Sequence, residues 1–366
     1  MTTIVAVDVR VLTVPGVRLA WNEALPPLEP VISLVRITDD AGNEGYGSTW
    51  LPGPLHEVAD AVGQYLRPQL IGCDVSDRER LWQSFQKLAY FTSVIRAVSV
   101  VDIALWDLAA KSVGLPLYRL LGACRDTVPA YASVPPHATI DSAVAAALDC
   151  RTRGFHGFKL HSFGAAARDI EACRAVRAAV GDDLALMLDP VNGYVFDDAL
   201  RVGRVLDELR FAWFEAPLPD DDVSGYAELC RRLDVPVANG EVRIRSLREY
   251  GELLQRGAVD VVRCAADVQG GLTALRKVGA LAEAFARPLE PRSYGSTLVQ
   301  AAHLHWCLSV ANCRFFEVPE PKGWLDFGMR TTIAPSTDGM VSAPAGSGLG
   351  VEVDWDEVDD ATVLRA

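Results

Sequence analysis

The feature that most restricts how this chain can fold is a unit that recurs between residues 128 and 318. Each copy is a short apolar strand, a polar or Gly/Pro-containing turn, and an amphipathic helix leading to the next strand. Eight strand segments fit it: Val128–Ser133, Gly157–Leu160, Leu184–Leu188, Phe211–Phe214, Val235–Asn239, Val259–Arg263, Pro288–Pro291 and Arg314–Val318. Their starts lie roughly 25 residues apart, the length of one βα unit. The strands are apolar without clean alternation, as parallel strands covered on both faces should be. Segments such as Ala166–Val180 and Leu272–Ala286 carry the apolar spacing of a helix. Eight such units predict an α/β protein built on a (β/α)8 TIM barrel.

At 366 residues the chain is longer than that barrel needs. Ahead of it, Ile4–Pro15 and Val31–Gly47 read as antiparallel strands, with hairpin turn chemistry at Asp39-Asp40-Ala41-Gly42. Helical segments follow at Leu55–Leu70, Asp77–Ala89 and Val94–Ser112, and the tail Gly339–Asp354 returns to strand and turn character. The expected division is an N-terminal α+β domain over 1–125, the barrel over 126–320, and a segment 321–366 that packs back on the first domain. Residues 16–30 and 49–54, rich in Pro, Leu and Trp without periodicity, read as the loops that would carry substrate specificity.

A net charge of -13 argues against binding nucleic acid, which calls for a basic face. No stretch near 20 residues is free of charges or helix breakers, so no membrane span is expected. Asp8 and Arg10 interrupt the apolar pattern at the N-terminus, and the absence of a leader there predicts a cytoplasmic protein. The eight cysteines are scattered without a C-x-x-C pair, so reduced thiols are expected rather than a zinc site or a disulfide framework.

In a barrel of this kind chemistry sits at the C-terminal ends of the strands. Three consecutive units end in a carboxylate: Asp189 in Leu186-Met187-Leu188-Asp189, Glu215 in Trp213-Phe214-Glu215, and Glu241 in Ala238-Asn239-Gly240-Glu241, each 26 positions from the next. A single acid there would be read as a cap on the following helix. Three in register sit side by side at the mouth, too close to stay ionised without a cation. Mg2+ suits such a set, because it takes a few carboxylates together with water and substrate oxygens.

One strand earlier, Lys159 and His161 share a face, since alternate strand residues point the same way. Lys159 is the only lysine between Lys111 and Lys277. A protonated lysine disfavours imidazolium beside it and so leaves His161 competent as a general base. A metal beside a base suits removal of a proton α to a carboxylate, with stabilisation of the resulting enediolate. The pair could instead only neutralise the acid cluster, and the residues alone leave open whether Lys159 or His161 is the base.

Asp102-Ile103-Ala104-Leu105-Trp106-Asp107-Leu108, Leu115-Pro116-Leu117-Tyr118-Arg119-Leu120-Leu121-Gly122, Gly270-Gly271-Leu272-Thr273 and Gly348-Leu349-Gly350-Val351 resemble recurring segments of one family. It is the mandelate racemase and muconate lactonising enzymes of the enolase superfamily, and the resemblance covers nearly the whole chain. It implies an α+β capping domain followed by a modified barrel, and a homo-oligomer. It also implies Asp189, Glu215 and Glu241 as Mg2+ ligands, Asn192 near a supporting asparagine one residue later than usual, and Glu317 as the acid that hydrogen-bonds the developing enediolate. From spacing alone, Glu317 could equally be a helix-capping acid.

The departures from the family pattern narrow the reaction. Strand 2 of the family usually ends Lys-x-Lys with the second lysine as base, where this chain has His161. The racemase branch places an Asp and a His at the ends of strands 6 and 7, where this chain has Ala265 and Arg292. Neither shuttles a proton near neutral pH. The strand 6 lysine of the muconate branch is also missing. Arg292, with Asp267 as its pairing partner, could grip a distal carboxylate or a sugar hydroxyl, and Asn192 and Tyr294 complete the candidate substrate contacts.

A base on one face suffices for a lyase, so the expected activity is dehydration of an acid sugar, the partner being a small carboxylate. A racemase, epimerase or cycloisomerase is the alternative, with Tyr294, Glu290 or a loop supplying any second base. A scaffold that binds metal and acids without turnover is the third reading. His56, His137 and His156 are expected in loops or at the surface, and His303 and His305 on the packed helix after strand 7.

Overall fold

The computed structural model describes residues 2–20, 27, 29–50, 53–241, 243–244 and 246–366. Residues 21–26, 28, 51 and 52 of the two expected specificity loops therefore lie outside the described residues. The chain opens with β1 (Ile4–Thr13), β2 (Val31–Asp39) and β3 (Glu44–Thr49), all antiparallel. Asp39 closes the β2–β3 hairpin by accepting from the backbone N–H groups of Ala41 and Asn43. The expected helix over Leu55–Leu70 is interrupted by a π turn at Val62–Leu66. That turn lies immediately before Arg67-Pro68, where proline lacks the N–H that a regular turn requires. The helix Ile95–Ser112 is buried on nearly all sides and packs across β3 and β2.

Eight parallel strands form the near-closed barrel: β4 (Thr127–Ser133), β5 (Gly157–His161), β6 (Ala185–Asp189), β7 (Trp213–Glu215), β8 (Val237–Asn239), β9 (Val261–Cys264), β10 (Leu289–Pro291) and β11 (Phe316–Pro319). Each observed boundary falls within two residues of the sequence reading. Neighbours pair in chain order, β11 returns beside β4, and the Leu289 N–H to Asn312 carbonyl bond bridges the turn from β10 toward β11 at 2.8 Å. Tyr131, Met187, Trp213, Ala238 and Val261 pack together inside, with Tyr131 and Trp213 edge to face at 5.3 Å. This layer fills the lower barrel, so polar chemistry is confined to the upper layer.

After the barrel, β12 (Met340–Ser342) pairs antiparallel with β4 on the barrel itself. A helix, Trp355–Ala361, then leads to β13 (Thr362–Arg365), which adds to the free edge of β1, Arg10 opposite Arg365. The sequence reading stopped at Asp354 and missed both of these last elements. No helix among the described residues is long and apolar enough to cross a membrane.

The family-like segments turn out to be the joint between the N-terminal sheet and the barrel. Asp102, buried in the helix Ile95–Ser112, accepts from the Thr273 N–H at 2.8 Å and the Thr273 hydroxyl at 2.6 Å. Asp107, one face further on, accepts from Leu349 N–H at 2.7 Å and Tyr46 N–H at 2.8 Å. Each carboxylate is approached by a glycine with positive φ. A Cβ on Gly271 (φ 85°) would fall 2.2 Å from Asp102 Oδ2, and one on Gly348 (φ 68°) 2.1 Å from Asp107 Oδ1. Only glycine gives both the conformation and the clearance. His305 works at the same joint: Nδ1 accepts from Tyr118 N–H at 3.0 Å, and Nε2 lies 3.2 Å from the Leu349 carbonyl.

Candidate metal and proton-transfer site

Parallel register sets the site. β5 and β6 place His161 opposite Asp189, and β4 and β5 place Ser133 opposite Lys159. The inward side chains one layer above the aromatic floor are thus those at the strand ends. One oxygen from each of Asp189, Glu215 and Glu241 lies within 4.8 Å of the others. Asp189 and Glu215 are buried, and Glu241 keeps some solvent access. Asp189 accepts from Val191 N–H at 2.9 Å, in the turn that follows its strand. Glu215 accepts instead from Trp213 Nε1 at 2.8 Å, which fixes its carboxylate from below. The helix-capping explanation therefore does not describe them.

Lys159 Nζ sits between three carboxylates, 3.0 Å from Glu317, 3.1 Å from Glu215 and 3.4 Å from Asp189. Burial alone would lower its pKa, but Glu215 and Glu317 outweigh burial and raise it well above the usual lysine value. Burial likewise opposes the Asp189 carboxylate, yet Lys159 and His161 bring it down to about 2. Glu241 moves the other way: burial and the neighbouring Glu215 charge raise it well above the usual carboxylate range. Without a cation the trio cannot be fully ionised, which is the condition that an ion relieves. The donors are hard oxygens gathered at one point, and they fit a divalent cation. His161 Nε2 lies 3.4 Å from Asp189, so the imidazole borders the same point.

Glu317 is inside the barrel, held by Lys159, by Arg263 at 3.1 Å and by the Ser293 N–H at 2.8 Å. Burial opposes its ionisation, but Lys159 and Arg263 carry it well below the usual carboxylate value. It is no helix cap. Arg292 spreads both Asp267 oxygens on Nη2 (3.0 and 3.2 Å), donates from Nη1 to the Tyr294 carbonyl, and brings Nε to 3.6 Å from Glu241. The pairing with Asp267 matches expectation. Tyr294 packs its ring against Trp50 at 5.7 Å and Trp324 at 6.5 Å, joining the N-terminal sheet to the barrel mouth. Asn192 (φ 61°) lies on the turn after β6, its amide nitrogen 2.8 Å from the Leu218 carbonyl and 3.1 Å from Asp220 in the orientation that satisfies both ends. It braces two neighbouring turns.

Sequence reasoning missed Arg263, which ends the strand candidate Val259–Arg263 and is fully buried. Its Nε is 3.0 Å from Glu215, and its Nη2 is 3.1 Å from Glu317 and 3.4 Å from Glu241. A lone arginine in an apolar strand was the available signal, because a buried guanidinium must face carboxylates. His137 lies in the loop after β4, as expected, half-buried with its ring 6.5 Å from that of Phe158, and burial and the neighbouring His161 lower its pKa. His303 is fully buried, accepting from Ala266 N–H at 2.8 Å, and His305 packs at the joint, both as expected.

Comparison with known proteins agrees with this geometry. Residues 28–122 match the mandelate racemase/muconate lactonizing enzyme N-terminal domain, and residues 142–358 match the enolase C-terminal domain-like family. L-talarate/galactarate dehydratase of Salmonella typhimurium is 32% identical over 287 residues, covering 76% of this chain and 71% of that protein. The 3,6-anhydro-alpha-L-galactonate cycloisomerase of Streptomyces coelicolor is 31% identical, covering 88% and 89% of the two chains. The crystal structure of D-glucarate dehydratase from Agrobacterium tumefaciens complexed with magnesium superposes with a TM-score of 0.88 at 31% identity, covering 99% of each chain. The protein is an enzyme of the enolase superfamily. Within it, the chain belongs to the mandelate racemase/muconate lactonizing enzyme family.

Proposed function

We propose that the chain is a Mg2+-dependent hydro-lyase that dehydrates a sugar acid. The observation that carries this reading is one-sidedness: Lys159 and His161 stand beside the carboxylate trio, while the positions for a second acid/base pair are Ala265 and an Arg292 committed to Asp267. Asp189, Glu215 and Glu241 would hold the ion, and Mg2+ accords with the magnesium complex of the D-glucarate dehydratase relative. When bound, it supplies positive charge beside the substrate carboxylate.

In this reading His161 takes the α proton, because Lys159 is kept protonated by its carboxylates. The Lys159 ammonium faces the negative charge that develops on the substrate, and Glu317 holds that ammonium in place. The imidazolium then returns its proton to the departing β hydroxyl. The α C–H and β C–O bonds break, a C=C bond forms, water leaves, and His161 ends as it began. Arg292 and Tyr294 border the opposite side, where Arg292 would meet a distal carboxylate or hydroxyl. Asn192 would act by bracing the turns that carry the metal ligands.

The division into capping domain (1–125), barrel (126–320) and returning tail (321–366), homo-oligomeric assembly and a cytoplasmic setting are parts of the same proposal. The test is incubation with a panel of aldonic and aldaric acids and Mg2+, with mass spectrometry for loss of one water and formation of a 2-keto-3-deoxy acid. The similarity to the cycloisomerase favours a second reading, in which a lactone or anhydro acid is converted without change of mass. Turnover at constant mass, or deuterium entering both configurations of the α carbon, would overturn the dehydratase.

A further inference from the structure

We propose that Arg263 sets the charge of the ion the site accepts: it is a fixed internal cation that limits the binding pocket to a divalent metal and restrains its affinity. The inference rests on the carboxylate trio being a cation site. Arg263 contacts two of the three ligand residues, Glu215 at 3.0 Å and Glu241 at 3.4 Å, and reaches Glu317 at 3.1 Å. It cannot swing away when an ion arrives, because Nη1 is tied to the Glu290 carbonyl at 2.9 Å and the Tyr131 hydroxyl at 3.2 Å, and no part of the residue is exposed. A charge pinned this way acts on an incoming ion with little screening by water or salt.

The surrounding charges make the limit specific. Five carboxylates (Asp189, Glu215, Glu241, Asp267, Glu317) form one connected set with three cations (Lys159, Arg263, Arg292), each touching at least one opposite charge. With all eight charged the set is short of two positive charges, which a single divalent ion supplies. Removing Arg263 leaves it short by three, the deficit a trivalent ion would fill. A guanidinium serving only as a packing brace predicts the opposite outcome: its loss would loosen Glu215 and Glu241 and weaken every ion alike.

The experiment compares wild type, Arg263→Gln, Arg263→Lys and Glu317→Gln by calorimetric titration with Mn2+ and by terbium luminescence, with circular dichroism and thermal melting as controls. The expected result for Arg263→Gln is Mn2+ binding at least tenfold tighter and a Tb3+ gain larger than the Mn2+ gain. Arg263→Lys keeps the charge and stays within about threefold of wild type for both ions. Glu317→Gln removes a negative charge that is not a ligand, so both ions bind more weakly and Tb3+ loses more. Wild-type or weaker Mn2+ affinity in a folded Arg263→Gln protein overturns the proposal, and should that variant fail to fold, unchanged affinities in Glu317→Gln do so. If wild type itself binds no cation, or Asp189→Asn binds as well as wild type, the metal site fails first and the role of Arg263 with it.

Discussion

Acid should weaken this protein through a histidine that never touches the site. Burial lowers the His305 pKa from 6.5 to about 4, because the ring is enclosed between the helix Thr297–Ser309, Tyr118 and the tail. Its hydrogen bonds define the neutral tautomer: Nδ1 accepts from Tyr118 N–H, so the proton is on Nε2 and points at the Leu349 carbonyl. A second proton would set two N–H groups against each other. With the folded pKa depressed, the unfolded chain binds the proton first as pH falls. The stabilisation is therefore complete above pH 6.5 and is lost as pH drops toward 4. The full difference is about 3 kcal/mol, of which about 2 kcal/mol is expressed by pH 5. Urea titrations of wild type and His305→Gln at pH 7.5 and pH 5.0, followed by tryptophan fluorescence, measure it. The variant should lose about 2 kcal/mol less than wild type between the two pH values, because the opposing contributions of His303, also lowered to about 4, and Asp102, raised to about 7, are common to both proteins. Equal losses would show that His305 is already protonated in the folded joint and that the tautomer assignment is wrong.

Asp189→Asn and Glu241→Gln should each abolish calorimetric binding of Mg2+ while leaving the circular dichroism unchanged, since both face the mouth and not the packed layer. His161→Asn should lower turnover and α-proton exchange together by roughly 100-fold or more, the contribution of a general base, with KM little changed. Burial raises Asp102 to about 7 despite its bonds to Thr273, so this carboxylate stabilises the fold below pH 4 and loses that contribution as pH rises through 7; Asp102→Asn should flatten this part of the stability profile. Gly271→Ala should destabilise by at least about 2 kcal/mol in denaturant titration, because the added methyl meets Asp102 while the backbone keeps a positive φ.

What the sequence disclosed follows from what each element depends on. The barrel strands were legible because burial on both faces leaves runs such as Leu186-Met187-Leu188 with no polar alternation, and the acids were legible because one repeat separates each from the next. Arg263 escaped because a charge at the end of an apolar run looks like the strand's boundary, when it is the residue that turns inward. Strand β13 is only Thr362-Val363-Leu364-Arg365, partly exposed, and exists because β1 offers it an edge; no local pattern encodes that partner. Asn192 was near the site in sequence, but its bond to Asp220 on another loop is a tertiary fact. The recurring segments were recognisable by resemblance, yet their purpose emerged only when Gly271 met Asp102 and Gly348 met Asp107.

The pairing of β13 with β1 also orders events at the ribosome. The sheet begun by the first fifty residues stays open along part of β1 until Arg365 has been made, after every barrel strand has been synthesised. During that interval the stretch Arg10–Leu12 of β1 presents to other chains the edge that β13 later pairs, a template for aggregation. A stop codon that removes only the closing helix and strand would leave the catalytic barrel untouched and make that exposure permanent. Such a truncated protein should be cleared or aggregated in the cell before its chemistry could matter.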